Sequence, residues 1–322
     1  MRTTTLGKTD VEVNVIGLGC MGMSAFFGPT DREESLKALH RAIELGVNFF
    51  DTSISYGTFD GENEQLIREG LIEKGYRDKM IIGTKVAYGT TEEAGVDASP
   101  ETVKRRCDES LQNLGIDTID IYYLHGRDPK TPVEDTFGAM ADLVKTGKVR
   151  YLGISNHFEE AIRKAHAVHP LTACQIEYSM FRRDPGETVL PACRELGISL
   201  VAYSPLGRGF LTGKLTRFEQ LTEDDFRRQV ISTLVYDDFN ERVDSIVETL
   251  SEIAEAHNAS IPQIAIAWVH AQGDDIISIP GTKRRSYLAD NLGAYDVELT
   301  EDDLERLSDL PSWLDRAKLE AR

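Results

Sequence analysis

A carboxylate, a phenol, an ammonium and an imidazole stand at Asp51, Tyr56, Lys85 and His125, each just past a short apolar run. The runs are Val47 to Phe50, Met80 to Thr84 and Ile119 to Leu124, and each reads as a β-strand. Neighbouring strands of a sheet lie about 4.8 Å apart. If these three are successive parallel strands, the four polar groups converge in one cleft at the strands' carboxyl ends, where such folds keep their chemistry. Together they make a device for moving a proton. Singly they have plainer readings: a strand-end cap, a loop aromatic, a surface cation and a satisfied core histidine. The joint spacing is what points to catalysis.

The elements that must position these groups alternate along the whole chain. Strands are expected near 15–18, 47–50, 80–84, 119–124, 149–153, 173–176, 198–202 and 276–279. Amphipathic helices are expected near 31–45, 62–74, 100–114, 134–146, 158–167, 187–196, 261–271 and 284–293. In the first of these, Leu36, Leu39, His40 and Ile43 follow the i, i+3, i+4, i+7 spacing. Ser99-Pro100 supplies the third with an N-cap and a first-turn proline. Eight such units without a shift in composition predict one α/β domain over residues 1–322, a (β/α)8 TIM barrel. Residues 3–14, turning at Gly7-Lys8-Thr9-Asp10, read as an N-terminal β-hairpin. Two additional helices, near 240–257 and 300–310, fall outside the repeat and are expected to pack on its surface. The stretch 204–239 is the longest irregular one, the size of a lid or binding loop. The charged residues 311–322 are expected to add little core.

Bulk properties exclude several functions. With 54 acidic and 36 basic residues the formal charge is −18, a field that repels nucleic acid and anionic membrane. Neither is expected as a partner. Cys20, Cys107, Cys174 and Cys193 form no C-x-x-C pair and read as free thiols of a reducing compartment. The N-terminus shows no apolar signal region, and no apolar run reaches the ~20 residues of a membrane span, so a cytoplasmic location is expected. His166 and His169, with His157 nearby, have loose metal-ligand spacing, but no cysteine or acidic partner completes a set. No metal is expected.

Two glycine-bearing segments compete as phosphate sites. Gly17-Leu18-Gly19-Cys20-Met21-Gly22 matches G-x-G-x-x-G. That fingerprint needs a helix directly after the glycines and an acidic residue ~20 positions on. Here Phe27-Gly28-Pro29 intervenes and Asp51 comes too late. Gly19 and Met21 are better read as shaping the first βα loop at the barrel mouth. The stronger anion site is Ile279-Pro280-Gly281-Thr282-Lys283-Arg284-Arg285, a strand end, a glycine turn and a helix start carrying three cations. Cations oppose the dipole at a helix N-terminus unless an anion offsets them, and barrels often bind phosphate after strands seven and eight. The bland alternative is a solvated basic face.

At this point the chain resembles the aldo-keto reductase superfamily over nearly its whole length. The matching stretches are Phe50-Asp51-Thr52-Ser53 with Tyr56-Gly57, Thr84-Lys85, Leu124-His125, Gly153-Ile154-Ser155-Asn156, Cys174-Gln175-Ile176-Glu177-Tyr178, Tyr203-Ser204-Pro205-Leu206-Gly207 and Ile279-Pro280-Gly281-Thr282. The chain resembles bacterial and plant members with Gly-Thr-Lys after the last strand more than the mammalian steroid and aldose reductases. Relatives often place an arginine directly after the histidine, whereas here Gly126 precedes Arg127.

The resemblance implies reduction of an aldehyde or ketone to an alcohol with NADPH, or the reverse with NADP+. Tyr56 would be the general acid, Lys85 would lower its proton affinity, Asp51 would hold Lys85, and His125 would hydrogen-bond the substrate carbonyl. It also assigns Ser155, Asn156 and Gln175 to the nicotinamide carboxamide and Tyr203 to its ring. Ser204, Leu206 and Gly207 would follow the pyrophosphate. Gly281, Thr282 and Lys283, with Arg284 assisting, would take the 2′-phosphate, and Asp290 and Asn291 would lie at the adenine. Gly19, Met21 and Asp51 complete the cofactor set. Phe26, Phe27, Tyr88 and Phe210 are candidates for the substrate wall and suggest an apolar or aromatic carbonyl compound. A monomer or weak homo-oligomer is expected. Two other readings compete. One is a nucleotide-binding regulatory module resembling potassium-channel β-subunits. The other is a barrel hydrolase using Asp51 and His125, which leaves Lys85 and the late basic cluster without a role.

Overall fold

The structure, a computed structural model, describes residues 1–89, 95–223, 225–231 and 238–311. Strands β1 (Thr3–Thr5) and β2 (Glu12–Asn14) pair antiparallel as the expected hairpin. Its inward residues Leu6 and Val13 are buried in one cluster with Phe49, Ile121, Tyr123, Ala173, Val201 and Ile277 from the barrel interior. The hairpin therefore plugs the amino end of the barrel, leaving the opposite end open to solutes. Gly7, at the turn (φ +56), sits so close to Thr172 that a Cβ would lie 2.7 Å from its carbonyl oxygen.

Eight parallel strands follow in chain order: β3 (Leu18–Gly19), β4 (Phe49–Asp51), β5 (Ile81–Val86), β6 (Ile119–Leu124), β7 (Val149–Ser155), β8 (Leu171–Glu177), β9 (Ser199–Tyr203) and β10 (Ile276–Ile279). Parallel bridges Ile16–Ser278 and Gly19–Gly281 bring the first and last strands together. The amide of Gly17 donates to the Ser278 carbonyl and that of Ser278 to the Val15 carbonyl, both at 2.8 Å. At this seam a Cβ on Gly19 would fall 2.8 Å from the Ile279 carbonyl oxygen, so the close approach requires glycine there. The glycine motif opens into a 3-10 turn, Met21–Met23, and the first helix begins only at Arg32. No dinucleotide-type strand–glycine–helix turn forms there.

Helices cover the outside of the sheet, and a second apolar layer fills the space between strands and helices. The extra helices are Phe239–Ala256 and Glu301–Ser308, joined by a 2.8 Å contact between His257 and Asp303. Three expectations are refined. The helix expected over 62–74 is an α-helix, Glu62–Ile67, that widens into a π-helical turn, Arg68–Ile72. The one expected over 187–196 breaks at Val189 into Asp184–Thr188 and Leu190–Leu196, because Pro191 has no N–H with which to continue a helix from upstream. The stretch read as irregular, 204–239, contains a kinked run of turns at Gly207–Thr212, a 3-10 turn at Phe218–Gln220 and a short helix at Phe226–Ile231. The charged tail from 312 onward lies outside the described residues.

Inside the barrel, the fully buried ring of Tyr123 on β6 is seated between glycines of the two flanking strands. A Cβ on Gly83 would meet the ring at 2.9 Å and one on Gly153 at 2.3 Å. Gly153→Ala is therefore expected to destabilise the fold by about 1–3 kcal/mol through overpacking. Urea unfolding of the variant measures this, and an unchanged midpoint would show that the ring is free to move aside.

Candidate active site

The four chemistry-bearing residues meet at the open, carboxyl end of the strands. Asp51 ends β4 and Lys85 lies near the end of β5, and both side chains are buried. Lys85 Nζ donates to Asp51 Oδ1 (2.5 Å) and to the Thr52 carbonyl oxygen (2.7 Å). Asp51 Oδ2 accepts from Gln175 Nε2 at 2.6 Å. Above this pair, Nζ stands 4.8 Å from the centre of the Tyr56 ring. The Tyr56 and His125 rings are 5.7 Å apart and nearly perpendicular. His125 Nδ1 is 3.4 Å from Ser53 Oγ.

Local structure explains the placement. The chain leaving β4 turns at once, with the Tyr56 amide donating to the Ser53 carbonyl and Gly57 taking φ +136. Buried Asn63 braces this turn from behind. Its Oδ1 accepts from Thr52 Oγ1, and its Nδ2 donates to the Cys20 carbonyl oxygen and to Ser24 Oγ. The brace joins the loops after β3 and β4 into one wall.

Burial governs the electrostatics. It pushes the Asp51 carboxyl up and the Lys85 ammonium down, and the ion pair opposes both. The Tyr56 phenol is raised well above its ordinary value by burial first, then by the nearby Asp51 and Cys20. Burial outweighs the nearby Lys85 charge, which is also engaged by Asp51 and the Thr52 carbonyl. His125 falls well below its ordinary value through burial and the Lys85 charge. At neutral pH the phenol is thus protonated and the imidazole uncharged.

The residues assigned to a nicotinamide are wired into the same network. Besides Gln175 on Asp51, Asn156 donates Nδ2–H to the His125 carbonyl oxygen (3.1 Å) and accepts from the Tyr203 hydroxyl (2.9 Å). Asn156 holds φ +59. Ser155, at the end of β7, has a buried Oγ with no partner among the described residues, which suits a carboxamide as its partner. After Tyr203 the chain makes a tight turn with positive φ at Ser204, Gly207, Arg208 and Gly209.

Arg208 in this turn and Arg182 after β8 escaped the sequence reading. Arg208 donates Nε–H and Nη2–H to the buried Glu177 carboxylate at 3.1 and 3.0 Å, and Arg182 stands 3.5 Å from the same group. The only available signal was Glu177 within the Cys174–Tyr178 stretch and Arg208 directly after Gly207. Their pairing lies beyond local pattern.

The remaining candidates frame the mouth. Gly19 pairs with Asp51 across β3 and β4 and bridges Gly281 across the seam, with Met21 beginning the next turn. Leu206 is partly buried and Thr282 buried beside Lys283. Lys283 Nζ donates to backbone carbonyls of the first βα loop. Arg285 pairs with Glu34 at 3.0 Å. Asn291 is buried, and the Asp290 carboxylate accepts from Ser260 Oγ (2.9 Å), at the cap of a neighbouring helix.

Among the wall candidates, Phe26 meets the Tyr56 ring edge-on at 6.2 Å and Tyr88 meets His125 at 4.8 Å. Phe27 lies under the Arg227 guanidinium. Phe210 is a correction: it is wholly buried against Phe239 at 5.0 Å and belongs to the core. Phe226, which meets Phe26 edge-on at 5.3 Å, is the aromatic the sequence did not single out.

A barrel sealed at its amino end, with a phenol set over a buried lysine–aspartate pair at the other, defines the class of protein. The family model described as "Aldo/keto reductase family" matches residues 15–311. An aldo-keto reductase of Strobilurus tenacellus, str7, is 44% identical over 301 residues, covering 91% of this chain and 87% of its own. Among solved structures, the glycerol dehydrogenase AKR11B4 from Gluconobacter oxydans superposes with a TM-score of 0.85 at 25% identity, covering 96% of this chain and 94% of that one. The thermostable aldo-keto reductase Tm1743, in complex with the inhibitor epalrestat, superposes at 0.77 and 29% identity, covering 97% and 100%. The chain belongs to the aldo/keto reductase family. That membership supports oxidoreduction of carbonyl groups, and the family generally uses nicotinamide cofactors. Among the described residues no helix is long and apolar enough to cross a membrane.

Next to Asn156, the buried His157 places Nδ1 2.7 Å from the Ser155 carbonyl oxygen, and burial holds its pKa at about 4. The folded state thus keeps it neutral, whereas the unfolded chain binds a proton near pH 6.5. Its contribution is complete above that value and is lost as pH falls toward 4. Wild type is expected to lose roughly 2 kcal/mol more than His157→Gln between pH 7.5 and 5. Urea unfolding at both pH values checks this, and parallel losses would refute it.

Proposed function

We propose that this protein is a cytoplasmic, NADPH-dependent oxidoreductase that reduces aldehydes or ketones to alcohols. The observation that carries this reading is the buried Asp51–Lys85 pair lying under the Tyr56 ring and facing His125. When bound, the cofactor would supply the hydride; the chain's own groups supply position, proton and field.

Tyr56 is the general acid. Its raised pKa keeps the proton on the phenol until negative charge develops on the substrate oxygen. The phenolate then left behind lies within reach of the Lys85 charge, which Asp51 and the Thr52 carbonyl hold in place. Neutral His125 has an N–H to offer the same oxygen without competing as an acid. Reversal uses the same groups for alcohol oxidation.

Ser155, Asn156 and Gln175 would hold the carboxamide and Tyr203 the ring. Ser204, Leu206 and Gly207 would take the pyrophosphate, and Gly281, Thr282 and Lys283 the 2′-phosphate. Asp290 and Asn291 would border the adenine. A dianionic phosphate rewards charge-assisted bonds, which is why the cations from Lys283 favour NADPH over NADH. The aromatic wall of Phe26, Tyr88 and Phe226 favours apolar or aromatic carbonyl compounds.

Tyr56→Phe is expected to cut carbonyl reduction by about 10²- to 10⁴-fold while NADPH binding, followed by fluorescence titration, stays near wild type. Wild-type turnover in that variant would remove Tyr56 from the role. Lys283→Ala is expected to weaken NADPH by roughly 10- to 100-fold, as loss of charge-assisted hydrogen bonds implies, and NADH much less. Equal losses for both would move the phosphate contact elsewhere. Tight NADPH binding with no turnover across a panel of aldehydes would instead favour the regulatory module.

A further inference from the structure

We propose that Lys283 is also a latch: in the nucleotide-free protein its ammonium holds the first βα loop closed over Tyr56, and a nucleotide's 2′-phosphate must take it from that loop. This rests on reading Lys283 as the 2′-phosphate contact. Lys283 Nζ lies 2.8, 3.2 and 2.6 Å from the carbonyl oxygens of Phe27, Gly28 and Pro29. An ammonium has three N–H donors and no more, so these three consecutive carbonyls engage all of them. A phosphate oxygen within hydrogen-bonding distance has to replace at least one. The surroundings favour that exchange. Arg284 and Arg227 crowd Lys283 with positive charge, and Asp225, the opposing anion, is itself paired to Arg227. A dianion satisfies this neighbourhood better than neutral carbonyl dipoles.

The latched loop carries part of the substrate wall. Phe26 holds φ +76, a conformation that a bulky side chain keeps only when its surroundings impose it. Its ring reaches Tyr56 on one side and Phe226 on the other. The loop has little internal bonding of its own to maintain this, chiefly the Phe27 amide to the Ala25 carbonyl and Thr30 Oγ1 to the Ser24 carbonyl. The lysine spans the barrel seam and staples the loop from outside. Arg227 adds a second contact over the Phe27 ring while donating to the Arg208 carbonyl oxygen. Phosphate capture and the seating of Phe26 are thereby made to compete for one ammonium, and a coenzyme lacking the 2′-phosphate leaves the latch closed.

Hydrogen exchange of the peptide covering residues 24–31 tests this without turnover. Lys283→Met is expected to speed exchange there several-fold in the nucleotide-free protein, with peptides from β5 and β6 unchanged as an internal check on folding. In wild type, saturating adenosine 2′,5′-bisphosphate is expected to speed exchange toward the level of the variant, and adenosine 5′-monophosphate to leave it unaltered. Equal exchange in wild type and Lys283→Met, or slower exchange in the bisphosphate complex, overturns the latch. Calorimetry with the same two nucleotides separates the underlying reading. If the bisphosphate binds wild type and Lys283→Met equally well, the phosphate contact and the competition both fall. If its affinity drops in the variant while the loop does not respond, only the latch falls.

Discussion

A lysine and an aspartate buried together beneath a phenol form the constraint around which the rest of this molecule is arranged. Bringing two charges out of water costs several kcal/mol each in a real protein, so the pair is a poor device for stability. It persists because both groups find further partners: Thr52 offers its carbonyl to Lys85, and Gln175 its amide to Asp51. What the arrangement secures is orientation. A cation fixed within 5 Å of the Tyr56 ring, unable to swing into solvent, presents the same field to every substrate.

The barrel supplies that fixity because adjacent parallel strands have no freedom to slide once both faces are packed. Asp51 and Lys85 sit on neighbouring strands, and the interior below them is filled by Tyr123, Phe49 and the hairpin's Leu6 and Val13. Filling the amino end leaves chemistry only one place to happen. Around that place the backbone is strained in a consistent pattern. Among the described residues, five of the six non-glycine positions with positive φ are Phe26, Ala87, Asn156, Ser204 and Arg208, all in loops that follow strands; Asn258 is the sixth. Such conformations survive only where neighbours enforce them. Here the neighbours are the network itself: Asn156 is tied to His125 and Tyr203, and Arg208 to Glu177.

Two loops then meet over the site. The first, after β3, brings Phe26 and Phe27; the second, after β9, brings Phe226 and Arg227. Lys283, from the loop after β10, reaches the first of them through three carbonyls. The mouth is therefore assembled from segments 200 or more residues apart in sequence, and its shape depends on side chains that serve two neighbours at once.

That distance explains what was readable in advance. Strand-and-helix periodicity, the N-terminal hairpin, the two outer helices and the convergence of Asp51, Tyr56, Lys85 and His125 all follow from local pattern and strand order, because a parallel sheet puts every strand's carboxyl end on one side. The break at Pro191 was also local, but the apolar period masked it. Other features were never encoded locally. Whether burial or the Lys85 charge would prevail at the Tyr56 proton depended on how deeply both were buried and on who else claimed the lysine. Phe210 and Phe226 look alike as aromatics in a long loop; only packing against Phe239 sent one into the core and contact with Phe26 kept the other at the mouth. The chain alone determines which groups arrive at the site, since periodicity and order are short-range properties. Tertiary structure decides their protonation and partners, since desolvation and hydrogen-bond competition depend on everything packed around them.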